Sequence, residues 1–97
     1  MQISRTRPER ERFQRIENFI ESAFEQDLMV VHVETRETVI LNSTATAIWE
    51  ALKWPQTIDD LLDLLLEAFP EQPREALARQ VKEVLKTLRS RGLVVSF

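Results

Sequence analysis

The stretch VILNSTATAIW, residues 39–49, changes conformational preference in its middle and thereby decides the fold. Val39, Ile40 and Leu41 are apolar and mostly β-branched, which favours an extended, partly buried strand. Asn42 or Ser43 then offers a short side-chain oxygen that can accept a free backbone N–H of a first helical turn. Beyond it Ala45, Ile48, Trp49 and Leu52 recur at helical spacing, giving one apolar stripe. Trp54-Pro55 ends that helix, because the residue before a proline is pushed out of the helical region.

Downstream, a second helix opens at Thr57, with Asp60 three residues on in a relative of the capping box. Ile58, Leu61, Leu62, Leu65 and Phe69 form its stripe, and Pro70 and Pro73 bracket the following loop. A third helix starts near Pro73 or Arg74, is lined by Leu77, Val81, Val84, Leu85 and Leu88, and ends at Gly92, the only glycine. An extended piece, residues 93–97, closes the chain. Upstream, Leu28–Val33 and Thr38–Leu41 read as two strands joined by the short polar turn 34–37, an antiparallel hairpin. Phe19–Phe24 reads as a third strand. Residues 9–20 show helical spacing in Phe13, Ile16 and Ile20, but the preferred reading is an N-terminal basic arm over residues 1–18, ahead of one domain over residues 19–97. The expected class is α+β: a three-stranded antiparallel sheet that must hide its apolar face against three helices.

Charge is segregated along the 97 residues. Residues 1–16 hold five Arg against two Glu, residues 17–73 two basic against twelve acidic groups, and residues 74–97 six basic against two acidic. The chemistry needed for catalysis is sparse. There is no cysteine, hence no thiolate nucleophile, and a lone histidine, His32, falls inside a predicted strand, where a scaffold role is the usual one. Ser43 is better explained as a cap than as a nucleophile, and one glycine cannot make a phosphate-cradling loop. The expectation is a cytoplasmic protein that is not an enzyme and needs no cofactor or metal.

A strand ending in Leu41-Asn42, then Thr44, Ala45, Ile48 and Trp49, then Thr57, Ile58 and Leu61, then Val81, Leu85, Leu88, Arg91, Gly92, Leu93 and Val94, resembles the PqqD family. Its members are also called RiPP recognition elements. Lys53-Trp54-Pro55 replaces the Asp-Gly that the family often has between its first two helices. Gln80 replaces a frequent acidic residue, and neither position is expected to touch peptide. The resemblance implies a winged-helix-like fold without activity of its own. It further implies that the chain binds the leader segment of a ribosomally synthesised precursor peptide by strand addition, between the third strand and the third helix. Carried over, the expected peptide-binding residues are Thr38, Val39, Ile40 and Leu41 on the edge strand and Val81, Lys82, Leu85, Lys86 and Arg89 on the helix. Lys82, Lys86 and Arg89 share one flank, suited to an acidic leader. Val39 and Leu41 share one strand face and Thr38 and Ile40 the other; which pair meets the peptide stays open. The implied partners are the precursor leader peptide and a cognate processing enzyme: a leader peptidase of a lasso-peptide pathway, slightly favoured, or a radical or other tailoring enzyme.

Two other readings compete. Three helices with a basic third one also describe a helix-turn-helix DNA-binding protein, although the acidic body would be repelled by phosphate. A generic interaction module is the third. Neither a membrane nor nucleic acid is an expected partner.

Overall fold

The computed structural model describes residues 10–97. Nine elements follow one another: β1 (Arg12–Arg15), β2 (Phe19–Phe24), β3 (Asp27–His32), β4 (Thr38–Leu41), α1 (Ser43–Ala51), β5 (Gln56–Thr57), α2 (Ile58–Ala68), α3 (Arg74–Ser90) and β6 (Val94–Ser96). Strands β2, β3 and β4 form the expected antiparallel meander, in register with Phe19 opposite His32 and Met29 opposite Ile40. The three helices follow at the expected places. Among the described residues no helix is long and apolar enough to cross a membrane.

The helix boundaries show how the local sequence acts. Asn42, not Ser43, is the N-cap of α1: its Oδ1 accepts the Ala45 N–H at 2.9 Å. Thr57 and Asp60 make a reciprocal capping box on α2, each side chain accepting the other's backbone N–H at 3.0 and 2.9 Å. Gly92 follows α3 at φ 72°; its N–H donates to the Arg89 carbonyl and that of Leu93 to the Leu88 carbonyl. This is the double bond pattern of a Schellman cap, and it needs a residue free to be left-handed.

Residues 10–18 depart from expectation. Residues 1–9 lie outside the described residues, but 12–15 are strand rather than arm or helix. β1 lies between β5 and β6, with Arg12 opposite Thr57 and Gln14 opposite Val95, in a second three-stranded antiparallel sheet. Phe13 is 4% exposed and belongs to the core, so the folded body begins well before residue 19. Arg15 adds a polar anchor. Its backbone N–H donates to the Leu52 carbonyl at 2.8 Å and its guanidinium to the Trp49 carbonyl at 3.2 Å, at the C-terminal end of α1. The Trp49 carbonyl also accepts the Leu52 N–H of the C-cap at 3.2 Å, and a cation is favoured beside the negative end of the helix. The same guanidinium lies over the rings of Phe19 and Trp49, and Glu21 accepts the Trp49 indole N–H at 2.7 Å.

One core joins both sheets to the helices. Val30, Val39 and Leu41 from the meander meet Ile48, Trp49 and Leu52 of α1, Leu61 and Leu65 of α2, and Leu77, Val81, Leu85 and Leu88 of α3. The sequence stripes become this core almost residue for residue.

Candidate functional site

Strand β4 pairs with β3 on one side and leaves the other side open. The His32 N–H donates to the Glu37 carbonyl at 2.8 Å, which makes that opposed pair a hydrogen-bonded position of the ladder. Antiparallel positions alternate. Val39 and Leu41 are therefore bonded to β3, while the N–H and C=O groups of Thr38 and Ile40 point away from the sheet. The Arg91 guanidinium confirms this at one end: it donates to the Thr38 carbonyl at 3.0 Å and to Glu37 Oε1 at 3.3 Å. Ile40 keeps an outward N–H and C=O with no partner among the described residues.

The side chains divide in the same alternation. Val39 and Leu41 are buried, whereas Thr38 and Ile40 are exposed, Ile40 by 46%. The pair turned inward is thus fixed by the core. Beside the free edge runs a groove of about 270 Å³, lined by Val39, Ile40, Leu41, Asn42 and Ala45 on one wall and by Gln80, Glu83, Val84, Thr87 and Leu88 of α3 on the other. An extended segment laid in it would meet Ile40's backbone on one side and a half-apolar helix flank on the other. That geometry suits strand addition.

The structure does not bring all the expected residues to this place. Thr38, Val39, Ile40 and Leu41 are on the edge, as expected. On α3 the expected flank is turned the other way. Val81 is fully buried. Lys82, Leu85, Lys86 and Arg89 line a separate groove of about 390 Å³ with Phe13, Ile58 and Ser90, on the side of α3 that faces β1 and α2. The physical reason is the helix itself. At 3.6 residues per turn, Lys82, Lys86 and Arg89 fall on one side of the Leu77–Val81–Leu85–Leu88 stripe, and Gln80, Glu83 and Thr87 on the other. The groove-facing residues Gln80, Glu83, Val84 and Thr87 were missed. Val84 carried the available signal, being an apolar residue beside the core stripe and half-buried here. Gln80, not expected to meet peptide, lines the groove.

His32 has the scaffold role. Its Nδ1 accepts the backbone N–H groups of Glu34 and Thr35 at 3.1 and 3.4 Å, holding the β3–β4 turn that positions the edge.

The family model described as "Coenzyme PQQ synthesis protein D (PqqD)" matches residues 27–94, more than half of the chain. No curated protein matches. Among solved structures, "TbiB1 in Complex with the TbiA(beta) Leader Peptide" is similar with a TM-score of 0.69 at 15% identity, covering 84% of this chain and 93% of that one. "Lasso peptide synthetase B1 complexed with the leader peptide" is similar with a TM-score of 0.69 at 18% identity, covering 86% of this chain and 96% of that one. At such identities the likeness establishes the fold.

Proposed function

The chain belongs to the PqqD family, and on that premise we propose that it binds the leader segment of a ribosomally made precursor peptide and delivers it to a processing enzyme. The carrying observation is the open edge of β4: Ile40 offers one outward N–H and one outward C=O beside the α3 groove. A leader strand bonded there gains main-chain hydrogen bonds that demand little of its sequence, while alternate side chains enter the groove against Val84 and Thr87 and supply specificity. Both similar structures are described with a leader peptide bound, one as a lasso peptide synthetase component, which supports a lasso-type pathway for this chain. The protein would act by holding a flexible substrate near the enzyme, where tethering raises the effective concentration to about the millimolar range.

DNA binding along α3 is less well supported. The helix flank that faces the open strand carries Glu83, and the basic flank rims an apolar groove rather than a free helix face. Fluorescence polarisation decides between the readings, using the labelled leader of the precursor gene neighbouring this one and a random labelled duplex. Tight leader binding with no duplex binding is the expected result. Salt-sensitive duplex binding without leader binding would contradict the proposal.

A further inference from the structure

The cations Lys82, Lys86 and Arg89 remain unused by the leader groove, and they surround the larger of the two α3 grooves. Its floor is apolar: Phe13 from β1, Ile58 at the start of α2, and Leu85. Glu11 holds Arg89 at 3.6 Å, but no carboxylate among the described residues pairs with Lys82 or Lys86. The lining thus sets three cations, one of them paired with Glu11, beside an apolar floor on a chain whose net charge is −3. The stems of long cations lie along apolar surface while their heads stay in water, so a partner would pack among them over a floor in which Phe13 and Leu85 are 4% exposed and Ile58 is half-buried.

We propose that this groove is a second docking surface, which takes an acidic segment of the processing enzyme with one apolar side chain seated over Phe13 and Leu85. The identity of the partner rests on the delivery function above; the chemistry of the groove does not. Two observations and the physics of encounter select the occupant. The leader groove lies on the opposite flank of α3, so leader and enzyme can be held together, as delivery requires. The chain's own residues 1–9 carry Arg5 and Arg7 against Glu9 alone, the same sign as the rim. Finally, a cationic rim attracts and orients an acidic partner during encounter.

The test uses the full chain and the enzyme encoded beside the precursor gene. Affinity for the enzyme is measured by biolayer interferometry without leader, and affinity for the leader by polarisation in parallel. Wild type should bind the enzyme with an affinity that weakens as salt rises. Lys82→Glu/Lys86→Glu should weaken enzyme binding at least about tenfold, a loss of about 1.4 kcal/mol, and leave leader affinity within about twofold. Lys82→Arg/Lys86→Arg should retain enzyme binding. Both positions are exposed on α3, and an unchanged circular dichroism melt verifies the fold. Enzyme binding equal in wild type and reversal variant, or absent from both, overturns the proposal. So does a dimer of this chain in sedimentation velocity that the reversal dissolves, since the occupant would then be a second copy. Loss of leader binding in wild type alongside reversal-sensitive enzyme binding would refute the leader function and support the groove.

Discussion

On one flank of α3, Gln80, Glu83, Val84 and Thr87 look across a groove at the open strand β4; on the other, Lys82, Lys86 and Arg89 rim a groove floored by Phe13 and Ile58. One seventeen-residue helix serves both. Its buried stripe, Leu77–Val81–Leu85–Leu88, acts as a divider, and the flanks differ in what the rest of the chain sets against them. The β4 side offers unpaired backbone and mixed polarity, which suits an extended peptide. The β1 side sets Lys82, Lys86 and Arg89 beside apolar Phe13, Ile58 and Leu85, with Glu11 paired to Arg89. Grouping charges by helical spacing identifies a flank but not its neighbour, and the neighbour determines what the flank can bind.

The largest expected effect concerns the floor of the groove on the β1 side. Phe13→Ala removes a buried aromatic ring contributed by a strand within the first eighteen residues and should cost about 3–5 kcal/mol in a urea unfolding titration. A loss under about 1 kcal/mol would mean that β1 is not an integral part of the body. Next, Ile40→Pro deletes the outward N–H on the edge side, where proline is tolerated in a strand. It should weaken leader binding about fivefold to a hundredfold, because leaving the leader's carbonyl unsatisfied costs about 1–3 kcal/mol, while the thermal midpoint changes little. Full affinity in a folded variant would exclude β4 as the docking edge. Val84→Glu places a carboxylate in the leader groove and should cost about tenfold in leader affinity by polarisation, without altering enzyme binding. The smallest effect is the sharpest contrast: Lys82→Gln/Lys86→Gln should change leader affinity by less than about twofold, even for an acidic leader. A larger drop would return these lysines to the leader site.

Much of the architecture was legible because it is written in short-range periodicity. The stripes of α1, α2 and α3, the cap at Thr57, the glycine stop at Gly92 and the β3–β4 hairpin all follow from neighbours within a few residues. Strand β1 was not legible, for a physical reason. Arg-Phe-Gln-Arg has one apolar residue, too few to show a period of two, and its partners β5 and β6 lie more than forty residues away. β5 itself is two residues long and invisible to any window. At the site, the edge strand was legible from its position before α1. The inward pair, Val39 and Leu41, could not be assigned until the core fixed the register. The helix residues carried over from the family resemblance line the other groove, while half-buried Val84 lies beside the β4 edge, a placement that depends on how α3 packs and not on its own sequence.

The site proposed for the leader lies between β4 and the Val84 side of α3. The most direct test is an amide chemical-shift titration of the labelled full chain with the leader of the neighbouring precursor. Ile40, Leu41, Gln80, Val84 and Thr87 should shift strongly while Phe13, Lys82, Lys86 and Ser90 stay within the noise. Strong shifts at Phe13, Lys86 and Ser90 with Ile40 and Val84 unmoved would contradict it.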